Sequence, residues 1–294
     1  MRISLGSWAF SFGPYSEQAI PFEQVARRLA AAGYDGIEIS GFPPHVTLDD
    51  YPGKESRRAL VRLLGDLNLA VSGYAADLTG VNPTAAAHHG SYLELFERNL
   101  ELCAEIGSPR IRVDSGAAPG SIPDAEYDSA FARLAELWRQ AAEIARRSAI
   151  GVVWEFEPGF AFNKPSEVVA MVDRVGDENF QVLFDTAHAY MCGVAGARQH
   201  GASEALDGGI GEFLCLLEGK IGHIHLVDSD GTLYGDETST HRPFGEGIID
   251  FRAIGPQLLA VAGVEWWCVD LSFWPAAWER VESSLVFARK LAGH

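Results

Sequence analysis

Cysteine is scarce in this sequence. The four copies lie far apart and form no CxxC pair: Cys103, Cys192, Cys215 and Cys268. This spacing argues against the disulfide scaffold of small secreted domains and gives no support for a thiolate metal site. We therefore expect reduced thiols in a cytoplasmic protein.

Positive charge is also scarce, since 23 Lys and Arg residues stand against 40 Asp and Glu residues, for a formal net charge of −17. Nucleic acids and anionic membranes would repel such a chain, so neither is an expected partner. No apolar stretch is long enough to span a bilayer, and residues 1–8 lack the features of a signal peptide. The dinucleotide and P-loop phosphate motifs are missing too.

Strand-like and helix-like segments alternate through the whole chain, with no Pro/Ser-rich linker between them. Alternation of this kind predicts a parallel sheet. Eight such units in 294 residues predict an α/β fold of the closed (β/α)8 TIM-barrel type, as a single domain over residues 1–294. Two of the predicted helices cover residues 203–218 and 275–291. The predicted strands begin at Ile3, Gly36, Ala70, Arg110, Val152, Phe180, Ile221 and Val264.

Four successive strands end in side chains that bind metals or transfer protons. Glu155 and Asp185 end the fifth and sixth predicted strands, and His225 and Asp270 end the seventh and eighth. The carboxyl ends of barrel strands meet on one face, which is where active sites lie in this architecture. Polar groups are costly to bury there without partners. The ordered set therefore predicts a metal or proton-transfer site.

Two of these strands carry a second polar residue on the same face. Glu157 lies two residues after Glu155, and His223 lies two residues before His225. Two carboxylates inside a barrel repel each other unless a cation holds them. We therefore assign Glu155 as a ligand and expect Glu157 past the strand end, in solvent or in a salt bridge. His225 is nearer the carboxyl end and is the predicted ligand, whereas His223 is expected to be a satisfied core histidine.

The other candidates each have a structural alternative. Asp185 is either a metal ligand or the N-cap of the next turn, and Asp270 is either a ligand or part of a structural ion pair. His188 is either a substrate or outer-sphere group or a packed histidine. Arg242 either clamps a substrate hydroxyl or carboxylate or is a solvated surface residue.

Three carboxylates and one imidazole form an oxygen-rich ligand set. Such a set favours Mn²⁺, Mg²⁺ or Co²⁺ over Zn²⁺, and we expect Mn²⁺. An ion of this kind would act as a Lewis acid on neighbouring hydroxyl and carbonyl oxygens and so stabilise an enediolate. The carboxylates beside it are suited to moving the proton.

Over essentially its whole length the chain resembles the xylose-isomerase-like TIM barrels, a superfamily of sugar and sugar-phosphate isomerases and epimerases. The motifs are Glu155 with the Pro-Gly at 158–159, FDTAH at 184–188, His-Ile-His at 223–225, PFGEGIIDF at 243–251, and the carboxylate Asp270. Together these motifs are specific for the superfamily but not for one substrate.

By position, the resemblance implies that the metal ligands are Glu155, Asp185, His225 and Asp270. Glu155 and Asp270 match the pair that the epimerases use as acid and base, and His188 and Arg242 match substrate-contacting positions. The chain departs from the epimerases at Asp270, where they usually carry Glu. The shorter side chain suits a ligand and puts a role as base in doubt. Dimers or tetramers of one chain are usual in this superfamily.

We therefore expect a divalent-metal-dependent isomerase or epimerase that abstracts a proton next to the carbonyl of a small sugar or keto-polyol. Two other classes remain open. A lyase would use the same abstraction and then eliminate water, or an aglycone from a 3-keto sugar. A non-catalytic sugar-binding barrel would keep the metal for structure alone.

The substitution Asp185→Asn distinguishes an enzyme from a binding barrel. In an enzyme it should abolish activity and metal binding but leave the protein folded, because an amide is a neutral and weaker ligand than a carboxylate. Activity, metal content and the thermal unfolding midpoint would be measured beside wild type. A large fall in the midpoint together with metal loss would indicate a structural site instead.

Overall fold

Eight parallel strands close into a barrel in a computed structural model, which describes residues 1–293. Each barrel strand pairs with its neighbours in chain order, and the first closes the ring against the last, with Arg2 opposite Trp266. A two-stranded hairpin follows the seventh strand. The strands are β1 (Arg2–Gly6), β2 (Gly36–Ser40), β3 (Ala70–Ala75), β4 (Arg110–Val113), β5 (Gly151–Glu155), β6 (Phe180–Asp185), β7 (Ile221–Leu226), the hairpin strands β8 (Leu233–Tyr234) and β9 (Thr238–Ser239), and β10 (Trp266–Val269). The predicted (β/α)8 barrel is confirmed.

Helices connect the strands and surround the barrel. They are α1 (Phe22–Ala32), α2 (Lys54–Asp66), α3 (His89–Ile106), α4 (Asp124–Arg146), α5 (Pro165–Val175), α6 (Thr186–Gly193), α7 (Gly209–Leu216), α8 (Phe251–Ala260) and α9 (Val281–Leu291). Among residues 1–293, none of these helices combines the length and the hydropathy that a membrane span requires.

The predicted helices differ from the observed ones in two loops that follow strands. The helix predicted at 203–218 begins only at Gly209, whose φ of +64° is left-handed and blocks extension towards the amino end. Helix α6, which directly follows β6, was not predicted from the pattern. The helix predicted at 275–291 begins at Val281, after a 3-10 turn at Trp278–Arg280 in which Trp278 packs edge-on against Phe10.

The alternation of side chains along each strand separates an apolar shell from a polar barrel interior. On β5, Trp154 points to the helices and packs against Trp138 of α4, with ring centroids 5.1 Å apart. Its neighbour Glu155 points to the interior. On β7, His223 and His225 point inward and Ile224 joins the apolar core. A period of two therefore delivers the site residues to one space while the shell stays apolar.

The substitution Trp138→Ala should destabilise the fold by about 3–5 kcal/mol, because it leaves a cavity where a fully buried ring contacts Trp154 and Phe180. Urea unfolding at equilibrium measures the loss. Val286→Ala is the matched control on α9, since Val286 is 67% exposed and should change stability little. A loss below about 1 kcal/mol for Trp138→Ala would contradict this account of the core.

Candidate active site and metal centre

A cavity of about 390 Å³ opens at the carboxyl ends of the barrel strands. Three of the sequence-predicted residues line it: Glu155, His188 and Asp270. Asp185 and His225 do not line it but are fully buried next to Glu155. The structure thus brings the four predicted metal ligands to one place, each from the end of a different strand.

The four predicted ligands point donor atoms at one another. Nδ1 of His225 lies 3.0 Å from Oε1 of Glu155 and 3.8 Å from Oδ2 of Asp270. Asp185 joins Glu155 and His225 in a group whose ligand atoms all lie within 4.8 Å of one another. Such crowding of two or three carboxylates is unfavourable without a positive charge at its centre.

Two buried atoms in this group, Oδ2 of Asp185 and Nδ1 of His225, have no hydrogen-bond partner among residues 1–293. Oδ1 of Asp185, in contrast, accepts the backbone N–H groups of Ala187 and His188 and caps α6. Asp185 therefore is an N-cap and keeps its second oxygen free. Orphaned buried acceptors of this kind need a partner, and a divalent cation held by carboxylate and imidazole fits them.

A buried network fixes the orientation of His225 from below. Arg110 donates from Nη1 to Nδ1 of His223 at 3.1 Å, so the Nε2–H of His223 donates to Oε2 of Glu38 at 2.6 Å. The Nε2 of His225 lies 3.2 Å from the same oxygen. A carboxylate only accepts, so Nε2 of His225 carries the proton that Glu38 accepts, and Nδ1 is the nitrogen that faces the candidate metal centre. His223 is thus a core histidine with both nitrogens paired.

Charges around Glu155 keep it ionised. Burial favours the neutral acid, but Arg112, whose Nε lies 3.0 Å from Oε2, together with His225 outweighs burial and lowers the pKa of Glu155 to about 2. Arg112 also lies on the cavity wall. Sequence reasoning missed Arg112, because its partner comes from the next strand of the barrel.

Asp270 is held by several donors at once. Its Oδ1 accepts the indole N–H of Trp8 at 2.9 Å, and the backbone N–H and hydroxyl of Ser272 at 2.8 and 2.7 Å. Burial opposes the charge of Asp270, but His241, His225 and Ser272 outweigh it and hold the pKa of this carboxyl far below its usual range. Only Oδ2 remains, and it faces His225.

Glu157 lies past the end of β5, as expected, but on the cavity wall rather than in open solvent. It accepts a hydrogen bond from the Thr238 hydroxyl, and its Oε2 lies 3.6 Å from Nε2 of His188. Burial raises the pKa of Glu157 more than these two partners lower it. Nδ1 of His188 pairs with the Ser239 hydroxyl at 2.9 Å, which leaves Nε2 directed towards Glu157 and the cavity.

Arg242 does not line the cavity. Its guanidinium binds Asp230 through Nε and Nη2, at 2.9 and 2.5 Å, and lies over the ring of Trp274. A substrate contact would therefore require Arg242 to leave Asp230.

Asp228 anchors the long loop that follows β7, residues 228–249, which carries Thr238, Ser239 and Arg242. Its carboxylate accepts four backbone N–H groups, from Ser229, Gly245, Gly247 and Ile249. Gly247 is required because a Cβ there would overlap the Asp228 carboxylate. The loop thus begins and ends at one buried side chain.

His241 of this loop was not among the predicted site residues. It is 3% exposed and lines the cavity, and neither ring nitrogen has a hydrogen-bond partner in the part of the chain that the structure describes. Its Nδ1 lies 3.4 Å from Oδ1 of Asp270, which, against the effect of burial, raises the pKa of His241 to about 9. It also forms a second group of donor atoms with Asp185 and His188. The one sequence feature that could have pointed to His241 is the length of its loop, because long loops in a compact domain are usually functional.

A family model described as xylose isomerase-like TIM barrel matches residues 26–286. The chain therefore belongs to the xylose isomerase-like TIM-barrel family, and the resemblance inferred from its motifs is confirmed.

Several known proteins are similar to this chain. Fructoselysine 3-epimerase of Escherichia coli O157:H7 is 23% identical over an alignment of 261 residues, and the match covers 85% of this chain and 85% of that protein. The structure of a D-psicose 3-epimerase, determined in the presence of D-fructose, covers all of both chains with a TM-score of 0.74 and 19% identity. A probable 3-DHS dehydratase from Bacillus anthracis has the same TM-score at 16% identity, over 98% of this chain and 99% of its own. At such identities the structural likeness shows a shared fold.

The substitution Glu38→Ala should lower the affinity for Mn²⁺ about 10- to 100-fold, because His225 loses the carboxylate that fixes its tautomer. Glu38→Gln is the matched control, since its amide oxygen still accepts from Nε2 and should preserve most of the affinity. Isothermal titration with Mn²⁺ measures both, and circular dichroism checks that the variants fold. Equal affinities for Glu38→Ala and wild type would contradict the proposed orienting role.

Proposed function

We propose that this protein is a divalent-metal-dependent isomerase or epimerase of a small sugar or keto-polyol, which works by abstracting a proton next to a carbonyl. The observation that carries the proposal is the pair of buried, unpartnered ligand atoms, Oδ2 of Asp185 and Nδ1 of His225, beside a cavity lined by carboxylates and histidines. The similarity to a sugar 3-epimerase points the same way.

The residues that would hold the metal are Glu155, Asp185, His225 and Asp270, and Mn²⁺ is the ion that we propose. When bound, such an ion polarises the carbonyl and hydroxyl oxygens of a substrate. The orphaned atoms of Asp185 and His225 and the crowded carboxylates fit this requirement. The site has no sulfur ligand, and hard oxygen donors outnumber imidazole three to one, which favours Mn²⁺ or Mg²⁺ over Zn²⁺.

We assign the proton-abstracting base to Glu155. Its carboxylate is ionised beside Arg112 and lines the cavity, where it can contact a bound substrate. His188 would contact a substrate oxygen through Nε2, since Ser239 holds its other nitrogen. Arg242 would contact the substrate only after release from Asp230. Asp270 would act as a ligand, because three donors already occupy its Oδ1.

A lyase is the alternative that a specific observation favours. Aromatic side chains of Phe12, Phe160 and Phe273 line the cavity together with Trp8. Apolar rings of this kind can pack against a sugar or against a bulky aglycone. In a lyase the same abstraction would be followed by loss of water or of the aglycone from the neighbouring carbon.

We also propose a cytoplasmic location and a small carbohydrate as the partner. The cysteines of the described residues are unpaired, and Cys103, Cys192 and Cys268 are buried, as is usual for reduced structural thiols. A dimer or tetramer of this chain is the proposed assembly.

Deuterium uptake tests the function directly. The manganese-loaded protein is incubated in D₂O with ketoses, inososes and 3-keto glycosides, and the products are analysed by mass spectrometry. We expect one deuterium in an isomeric sugar of otherwise unchanged composition, because the proton delivered to carbon comes from a group that exchanges with solvent. The protein treated with a chelator is the control.

Each other outcome has a definite meaning. Deuterium uptake together with loss of water or an aglycone would identify the lyase. No uptake from any member of the panel would rule out proton abstraction and leave hydride shift or sugar binding.

A further inference from the structure

Proton-transfer epimerisation needs an acid on the face of the substrate opposite to the base, and Asp270 is poorly suited to supply it. Its Oδ1 already accepts from Trp8 and twice from Ser272, and its Oδ2 faces His225 among the proposed metal ligands. Asp270 lines the cavity, but its Oδ1 carries three donors, whereas Oε2 of Glu155 forms a single ion pair, with Arg112. If the proposed function is correct, another residue near Asp270 must carry the second proton.

His241 has the position and the free atoms for this task. Its imidazole is almost completely buried on the cavity wall, and neither ring nitrogen has a hydrogen-bond partner among the described residues. A buried imidazole without partners costs free energy, so its retention at this place suggests a ligand that supplies the missing contact. Nδ1 lies 3.4 Å from Oδ1 of Asp270, so Nε2 is the nitrogen left for the substrate.

We propose that His241 is the second proton-transfer residue of the reaction and acts from the side of β10, while Glu155 acts from the side of β5. These two strands lie three places apart around the ring of eight. Asp270 would then contact both the metal and the imidazole. The imidazole would reach the substrate, a task for which the side chain of Asp270 is shorter than the Glu of the epimerases.

The step balances with these two groups alone. Glu155 takes the proton from the carbon next to the carbonyl, the C–H electron pair forms the carbon–carbon double bond of the enediolate, and the carbonyl π pair moves to oxygen. Nε2 of His241 gives a proton to the opposite face of the same carbon, and the electron pairs return. Exchange with water resets both groups, and in the reverse direction they exchange roles.

The backbone holds His241 in place before any substrate binds. The next residue, Arg242, forms a two-way backbone bridge with Asp228, with N···O distances of 2.8 and 3.2 Å. Asp228 in turn anchors the loop at Gly245 and Gly247. A proton-transfer group needs such fixed geometry to be effective.

A second cation bound by Asp185, His188 and His241 is the competing assignment for these atoms. Oδ1 of Asp185 is committed to the amino end of α6, so a single oxygen, Oδ2, would have to serve two dications. Nε2 of His188 is already directed at Glu157. A second cation would therefore have only the two imidazoles as donors of its own, and one of them is already engaged, so we favour proton transfer.

The test compares His241→Gln and His241→Ala with wild type on the substrate that the deuterium assay identifies. We expect kcat to fall about 100-fold or more, with KM and the Tm close to those of wild type and the same number of manganese ions per chain by elemental analysis. Added imidazole should restore part of the activity of His241→Ala, because it fills the space of the lost ring. His200→Ala is the control, since His200 stacks on Tyr127 and does not line the cavity.

The remaining outcomes separate the two proposals. A His241→Gln variant with wild-type kcat, or no rescue of His241→Ala by imidazole, would overturn the role of His241 and leave the proposed function intact. Two manganese ions in wild type and one in His241→Gln would assign His241 to a second metal. No deuterium uptake by wild type would remove both proposals.

Discussion

Carboxylates and imidazoles in the interior of the barrel hold one another in place, and the arrangement of the site depends on this pairing. Glu38 accepts from His223 and His225, Arg110 closes the network below, and Arg112 pairs with Glu155 beside the cavity. Each of these groups would be costly to bury alone. Because the partners come from different strands, the geometry of the site depends directly on the register of the barrel strands.

The sequence was sufficient to predict the barrel and the residues at its strand ends. The strands of a parallel barrel are buried on both faces and therefore appear in the sequence as apolar runs. Eight such runs, alternating with helical segments, were enough to predict the barrel. Carboxylates or imidazoles at the ends of such runs, at Glu155, Asp185, His225 and Asp270, are conspicuous, and parallel topology alone brings them to one face. These four residues could therefore be predicted without knowledge of their partners across the barrel.

The rest of the site depends on contacts that local patterns do not contain. His241 and Glu157 reach the cavity through a loop and a strand end whose paths are set by Asp228 and by the hairpin at Thr238–Ser239. Helix α6 begins at Asp185, for which the sequence left a ligand role and an N-cap role open: Oδ1 caps two backbone N–H groups, and Oδ2 stays available to the candidate metal centre. Residues with two roles and partners far apart in sequence are beyond the reach of periodicity.

Because the long loop is anchored at Asp228, its middle part can vary in sequence and length while its two ends stay fixed. The backbone N–H groups of Ser229 and Gly245 both donate to the carboxylate of Asp228, which lies three residues after His225. The chain between Ser229 and Gly245 therefore leaves the barrel and returns to it at one point, and we call this segment the excursion. Within it, the hairpin of Leu233–Tyr234 and Thr238–Ser239 borders the cavity. Insertions or replacements in this hairpin would alter the mouth of the cavity without moving the ligand-bearing strand. Relatives with different substrates are therefore expected to diverge within this excursion and to keep its two fixed ends.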